Sequence, residues 1–101
     1  MTETAVEFEG FDWDEGNREK CQKHGVSLAE IEQALRLIRF VVDDPFPGEK
    51  RYRTVGRTDA GRHVFAVFTL RGSKLRPVSV RYMHEREVAS YEEGLAEIED
   101  R

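Results

Sequence analysis

The stretch from residue 51 to residue 82 constrains the fold more than any other part of this 101-residue chain. Two short turns divide it into three segments rich in β-branched and aromatic residues. The segments are Arg51–Thr58, Arg62–Leu70 and Lys74–Tyr82, and the turns are Asp59-Ala60-Gly61 and Arg71-Gly72-Ser73. Because such short turns join antiparallel neighbours, the pattern predicts a three-stranded meander. Both alternating sets of the middle segment are apolar, which predicts a central strand buried on both faces.

The N-terminal residues predict a short strand followed by a helix. Aromatic residues interspersed with acidic ones indicate a strand that ends near Trp13. Asp14 is a suitable N-cap for a helix through Glu15 to Lys23, because its carboxylate can accept a free amide of the first turn. Gly25 then supplies the left-handed residue that commonly ends a helix.

A second helix is predicted to begin at Ser27. Ser27 and Glu30 have the spacing of a capping box, in which each side chain accepts the other residue's backbone amide. Apolar residues follow at spacings of three and four, which places them on one buried stripe. They are Leu28, Ile31, Leu35 and Ile38. The proline- and glycine-rich segment Asp43–Gly48 is then predicted to be a turn that ends the helical half.

A third helix is predicted from His84 to about Ile98, with an apolar stripe formed by Val88, Tyr91, Leu95 and Ile98. The sequence contains no repeat or low-complexity stretch, so residues 1–101 are predicted to form one domain. The predicted fold class is α+β. An antiparallel sheet, made of the short N-terminal strand and the three-strand meander, packs with two N-terminal helices and a C-terminal helix.

Several classes of protein are disfavoured by the sequence. The longest apolar run is the five residues Val64–Phe68, whereas a membrane-spanning helix needs about 20. The acidic N-terminus has no basic region followed by an apolar stretch, so no secretory signal is predicted. Cys21 is the sole cysteine, and its predicted role is that of a small, partly buried side chain rather than a reactive thiol. These features predict a cytoplasmic protein without a membrane partner.

Charge is unevenly distributed along the chain. The formal net charge is −4, but the segment from Glu49 to Glu87 holds ten Lys and Arg against four Asp and Glu. A basic segment of this kind on an acidic protein indicates a basic working surface, which is typical of nucleic-acid sites. The structural alternative is a solvated strand surface.

The stretch from Arg76 to Glu87 holds the residue types that RNA cleavage needs without a metal ion or a cofactor. If the 2′-hydroxyl of RNA attacks the adjacent phosphorus, the site must supply a base, an acid and cations. Arg81 faces away from the neighbouring valines, and arginine can hold two phosphate oxygens with its planar fork. His84 or Glu85 could exchange protons, although a helix cap or a surface pair is the structural alternative. The three histidines are widely separated, which disfavours a metal site.

Motifs distributed between Phe11 and Glu92 resemble the BrnT family of toxins. The first group is Phe11-Asp12-Trp13-Asp14, then Asn17, Lys20 and Cys21, then Lys23-His24-Gly25-Val26-Ser27. The second group is Arg53–Asp59, Gly61-Arg62 and Arg76–His84, which resemble the central and final strands of the family. In the final strand Val80 replaces the usual alanine of a Ser-Ala-Arg sequence.

The resemblance implies a RelE-like fold and a type II toxin that cleaves RNA and inhibits translation. It implies that Arg57, Arg76 and Arg81 belong to the active face, that Lys50, Arg53 and Arg62 contact RNA, and that His84 and Glu85 are candidates for proton transfer. The implied partner is a BrnA-like antitoxin, with DNA bound only indirectly through the antitoxin complex. The expected assembly is a homodimer or a heterotetramer with the antitoxin.

Two other functions fit the same basic face. The first is a noncatalytic module that binds RNA or the ribosome. The second is a toxin-like protein that has lost nuclease activity and whose basic face docks an antitoxin. The noncatalytic binding module needs only a basic face and would tolerate changes from arginine to lysine far better than a catalytic site that relies on planar forks.

Overall fold

The computed structural model describes residues 6–38 and 40–99, with side chains up to residue 94. Two helices precede a four-stranded sheet, and a third helix follows it. The elements are α1 (Glu15–Gln22), α2 (Leu28–Leu35), β1 (Val41–Asp44), β2 (Arg51–Arg57), β3 (His63–Arg71), β4 (Lys74–Tyr82) and α3 (Glu85–Glu99). The strands lie in the order β1-β2-β3-β4, and each pair is antiparallel.

Side-chain caps fix the starts of α1 and α2. The Asp14 carboxylate accepts the Asn17 amide at 3.0 Å, and the Asn17 side chain accepts the Asp14 amide at 2.7 Å. Ser27 and Glu30 form the predicted capping box of α2. After α1, Gly25 has a φ of 90°, which confirms the predicted left-handed residue.

One face of the sheet packs against α1 and α2 and is called the helix-bearing face. Every second residue of β3 lies on it, and Val64, Ala66 and Phe68 are buried there. At Gly56 of β2, an added Cβ would overlap the backbone carbonyl of Ala34 in α2. The close approach of α2 to β2 therefore depends on glycine at this position.

Cys21 of α1 is fully buried in the same core. Burial raises the pKa of its thiol to about 11, because the charged thiolate is poorly solvated there. This agrees with the predicted role of a small, unreactive side chain.

The opposite face of the sheet is called the open face. It presents the other alternate residues of β2 to β4, namely Arg53, Val55, Arg57, His63, Phe65, Val67, Ser79 and Arg81. Helix α3 lies beside this face at the end where β4 leads into it, and in the described part of the chain it makes few close backbone contacts with other elements. The open face is therefore only partly covered.

Two fold predictions are wrong. The N-terminal segment forms only an isolated parallel bridge between Phe11 and Leu75, not a strand. The fourth strand of the sheet is instead β1, which was not predicted. Its first half lies where the helical part was predicted to end, and its second half lies in the predicted turn. Helix α2 already ends at Leu35. A four-residue strand shows too little alternation to be recognised, and β1 forms because the edge of β2 offers it hydrogen-bond partners.

The predicted meander is confirmed, with boundaries within one residue of those expected. Its middle strand, β3, lies between β2 and β4 as predicted, with one face buried and Phe65 and Val67 half-buried on the other. In α3, Val88 and Tyr91 are half-buried, whereas the side chains of Leu95 and Ile98 lie outside the described residues. Among the described residues, no helix has both the length and the apolar character needed to cross a membrane.

Candidate active site

The fold brings four of the five predicted catalytic residues to one end of the sheet, called the site end. Here β2 ends at Arg57, β3 begins at His63, and β4 leads through Tyr82 into α3. Arg57 is the cross-strand partner of His63, and Arg81 is the partner of Phe65, two residues further along β3. Arg57 and Arg81 therefore lie on the same face near the site end. His84 and Glu85 lie at the same end, where the chain passes from β4 into α3.

Arg76 lies away from this end. Its cross-strand partner is Thr69, six residues along β3 from His63 and therefore about 20 Å away at the rise of an antiparallel strand. The Arg76 guanidinium lies 2.8 Å from Asp14 and 3.6 Å from Asp12, and its side chain is 17% exposed. The pKa of Asp14 is lowered, first by the Asn17 amide and then by Arg76. Arg76 thus connects β4 to the start of α1.

Arg81 forms a two-point pair with a carboxylate of α3. Its two terminal nitrogens donate to the Glu87 oxygens at 2.7 and 2.8 Å, and the guanidinium lies over the Phe65 ring, 4.9 Å from its centroid. The side chain is 35% exposed. The Arg81 hydrogen bonds and the His84 amide lower the pKa of Glu87 to about 2. The guanidinium is therefore oriented to hold two oxygens of one oxyanion.

His84 and Glu85 lie at the start of α3, and both are exposed. The His84 amide donates to Glu87 at 2.9 Å, and the His84 carbonyl accepts the Val88 amide. The backbone of His84 thus has the contacts of a helix cap, the structural alternative considered above. Glu85 lines an open cavity of about 400 Å³ together with Arg62 and other residues of the site end.

The residues predicted to contact RNA are divided between the two ends of the sheet. Lys50 and Arg53 pair with carboxylates of β1, Asp43 at 2.8 Å and Asp44 at 2.7 Å. The hydrogen bond to Asp43 raises the pKa of Lys50. Of these two cations, Arg53 lies on the open face together with Arg57. Successive phosphates of an RNA backbone could therefore bind along this face.

Arg62 lies in the turn before β3, at the site end. Its guanidinium stacks on the Tyr82 ring at 3.5 Å. The Tyr82 hydroxyl donates to both carboxylate oxygens of Glu30, at 2.8 and 2.9 Å, which raises the pKa of Tyr82 and lowers that of Glu30. This contact places Arg62 toward the helix-bearing side of the turn.

The sequence interpretation missed His63, which lies at the centre of the site end. Its side chain is 9% exposed, its Nε2 lies 3.6 Å from Glu92 Oε1, and its ring meets the Tyr91 ring edge-on at 5.8 Å. His63, Glu92 and Arg57 line an open cavity of about 500 Å³. The sequence suggested no role for His63 beyond that of a possible metal ligand, and its pairing with Arg57 becomes apparent only from the strand register.

The site end thus combines two arginines, a histidine and carboxylates around open cavities. Arginines of this kind can bind a phosphodiester, and an imidazole can donate or accept a proton. Within the described ranges, no three His, Cys, Asp or Glu side chains are grouped so that they could hold a metal ion. The side chains at this end are therefore suited to phosphate binding combined with proton transfer.

Comparisons with known proteins agree with this description. A family described as the ribonuclease toxin, BrnT, of type II toxin-antitoxin systems matches residues 13–87. No curated protein matches the sequence. The crystal structure of the Brucella abortus ribonuclease toxin, BrnT, has a similar fold, with a TM-score of 0.53 and 24% identity over 75% of this chain and 97% of that chain. Since the family match spans most of the sequence, the chain belongs to the BrnT family of ribonuclease toxins of type II toxin-antitoxin systems.

Proposed function

We propose that this toxin is an endoribonuclease that cleaves RNA without a metal ion, by attack of the 2′-hydroxyl on the adjacent phosphorus. The observation that carries the proposal is the placement of Arg57, Arg81 and ionisable groups of the β4–α3 junction at one end of an open sheet face. A phosphodiester lying across this end would meet both guanidiniums and a proton-transfer group together.

The proposed reaction needs only side-chain chemistry. A base removes the 2′-hydroxyl proton, the 2′-oxygen forms a bond to phosphorus, and the bond from phosphorus to the 5′-oxygen breaks. The departing 5′-oxygen takes a proton from an acid or from water, so the products are a 2′,3′-cyclic phosphate and a 5′-hydroxyl. His84 and Glu85 are the proton-transfer candidates from the sequence. Arg57 and Arg81 would stabilise the negative charge that develops on the phosphate oxygens.

Substrate binding requires an exchange of partners at Arg81. Its planar fork holds the two Glu87 oxygens at 2.7 and 2.8 Å, the geometry that it would use for two phosphate oxygens. RNA phosphate would therefore replace the Glu87 carboxylate, and the start of α3 would shift. Arg76 has a different role in this proposal, because Asp12 and Asp14 hold it at the start of α1.

The wider biological proposal follows from family membership. The fold would be of the RelE-like type, and cleavage of RNA in the cytoplasm would inhibit translation. Lys50, Arg53 and Arg62 would contact the RNA backbone. A BrnA-like antitoxin would neutralise the toxin, in a heterotetramer or around a toxin homodimer, and would provide the contact with DNA.

The test is to incubate the purified protein with total RNA in the presence of EDTA. The wild type should generate 2′,3′-cyclic phosphate ends, and Arg57→Ala and Arg81→Ala should each cut at least ~10²-fold more slowly, as removal of one donor to a developing charge usually does. Arg86→Ala is the matched control, since Arg86 is an exposed arginine in the first turn of α3. Intact RNA in all samples, with and without ribosomes, would contradict the proposal, as would loss of cleavage on adding EDTA.

A second candidate is a noncatalytic toxin-like protein whose basic face binds RNA or the ribosome, or docks an antitoxin. The observation that favours it is that Lys50, Arg53 and Arg81 each pair with a carboxylate of the chain itself. A binding surface needs only net charge, so Arg81→Lys should preserve RNA binding in a filter assay. In the catalytic case the same variant should lose cleavage, because lysine offers a single donor point instead of a fork.

A further inference from the structure

We propose that His63 is the general base of the RNA cleavage and that Glu92 positions it. This inference rests on the ribonuclease activity proposed above and assigns the base that the β4–α3 junction leaves open. His63 is the first residue of β3, and its cross-strand partner is Arg57. A phosphate held by Arg57 would consequently lie beside the imidazole.

The surroundings of His63 suit a base that faces a substrate. Its Nε2 lies 3.6 Å from Glu92 Oε1, which is longer than a strong hydrogen bond but short enough to close with a small movement of either side chain. The side chain is 9% exposed, and the Tyr91 ring contacts it edge-on. These contacts restrict the ring and orient its Nε2 toward Glu92 of α3.

The two cavities of the site end meet at this pair. One, of about 500 Å³, is lined by Arg36, Arg57, His63 and Glu92, and the other, of about 400 Å³, is lined by Arg62, His63, Glu85 and Glu92. His63 and Glu92 line both cavities. The charged groups that line these cavities with the imidazole come from the C-cap of α2, from β2, from the turn before β3, and from α3. Arg36, the C-cap residue, is itself paired with Asp59 at 2.7 Å.

Part of this arrangement comes from outside the segment of this chain that matches the family. The family match ends at residue 87, whereas Tyr91 and Glu92 lie in the next turn of α3. The helix therefore contributes to the site end through two carboxylates, Glu87 on Arg81 and Glu92 on His63. Movement of α3 that frees Arg81 for phosphate would also adjust the position of Glu92.

The chemical step follows directly. In neutral His63 the proton lies on Nε2, toward Glu92, and Nδ1 takes the proton from the 2′-hydroxyl as the 2′-oxygen bonds to phosphorus. The Glu92 carboxylate stabilises the resulting imidazolium. The bond from phosphorus to the 5′-oxygen breaks, and that oxygen takes a proton from water. When the products leave, His63 returns its proton to solvent, so protons balance over the cycle.

The experiment compares cleavage rates of a short RNA by wild type, His63→Asn and Glu92→Gln from pH 5 to pH 9. Matched controls are His24→Asn, at the exposed end of α1, and Glu93→Gln, the neighbouring exposed glutamate of α3. His63→Asn should lose about 10²-fold or more in rate. Glu92→Gln should lose less, and the acidic limb of its pH–rate profile should move to lower pH, because the imidazolium loses its counter-charge. Both controls should match the wild type.

A packing role for His63 is separated from catalysis by chemical rescue. Added imidazole should restore cleavage to His63→Ala in proportion to its unprotonated form, which a purely structural defect would not show; circular dichroism verifies that each variant is folded. Wild-type rates in folded His63→Asn would overturn this inference and leave the proposed function standing. An unshifted profile in Glu92→Gln would overturn the positioning role. Absence of cleavage by the wild type would remove the proposed function, and this inference with it.

Discussion

The two faces of the sheet are held in different ways. On the helix-bearing face, α2 lies so close to β2 that Gly56 has no room for a side chain, and Val64 and Phe68 are buried. On the open face, α3 leaves an apolar groove of about 400 Å³ beside Val55 and Phe65. The helix approaches the sheet through the Arg81–Glu87 ion pair and through the contacts of His63 with Tyr91 and Glu92. One face thus maintains the fold, while the other leaves Arg57 and Arg81 at least partly exposed.

The largest effect is expected from Gly56→Ala, which tests how closely the helix-bearing face is packed. The added methyl group would overlap the Ala34 carbonyl, so α2 must move away from β2. We expect the free energy of unfolding to fall by about 3 kcal/mol, the upper range for overpacking. Urea denaturation measures the change. An unchanged denaturation midpoint would show that α2 can be displaced without loss of stability. The two faces would then not differ in how closely they are packed.

A smaller loss of stability is expected from Arg76→Ala. Arg76 is mostly buried and connects β4 to the start of α1 through Asp12 and Asp14. Because water screens the more exposed of these carboxylates, we expect a loss of about 1 kcal/mol, part of it from packing of the arginine stem. Thermal denaturation gives the stability.

RNA cleavage by Arg76→Ala should be unchanged below its melting transition, whereas Arg81→Ala should remain stable and lose cleavage. The reverse pattern, with cleavage lost in stable Arg76→Ala, would place Arg76 in the active site as the sequence suggested. The comparison is informative because both arginines lie on β4 and both bind carboxylates.

Local sequence signals predicted most of the fold. The two turns defined the meander because tight turns restrict which strands are neighbours, and Ser27 marked the start of α2 because its cap is made within four residues. The strand β1 was missed because its stability comes from pairing with β2, which local sequence does not show. The N-terminal segment has the local pattern of a strand, but it pairs with β4 at an isolated bridge and so does not form the predicted strand.

The candidate site was predicted only in part. Strand alternation oriented Arg81, and the family resemblance alone assigned Arg57 to the same active face. Arg76 has the same residue type and strand, but its partners lie more than sixty residues earlier in the chain. The contact of His63 with Glu92 joins the start of β3 to the middle of α3 and depends on how that helix is placed. No local pattern encodes such a contact.

The attachment of α3 to the open face should depend on pH. Arg81 and the His84 amide lower the pKa of Glu87 from its ordinary value of 4.5 to about 2. A lowered pKa means that the pair contributes fully above about pH 4.5 and is lost as the pH falls toward 2. Amide exchange measured by NMR should therefore show the first turn of α3 loosening between pH 5 and pH 2.5. In Glu87→Gln, the first turn of α3 should already be loosened at pH 6, and its amide exchange should show little further loosening between pH 5 and pH 2.5. Equal protection in both proteins at pH 6 would show that the ion pair does not hold the helix.

The smallest effect is expected from Gly94→Ala, the counterpart of Gly56→Ala on the open face. Within the described part of the chain, a Cβ at Gly94 would meet no atom within 4 Å apart from the backbone of its own helix, and the residue lies inside α3. Replacing a helical glycine with alanine should therefore stabilise the helix by up to about 1 kcal/mol, which corresponds to roughly fivefold slower amide exchange in α3. Global stability measured in urea should change little, because few contacts couple α3 to the core. The same methyl group thus has opposite consequences on the two faces. Faster exchange in Gly94→Ala would mean that the groove beside Val55 is already filled and that α3 is packed as closely as α2.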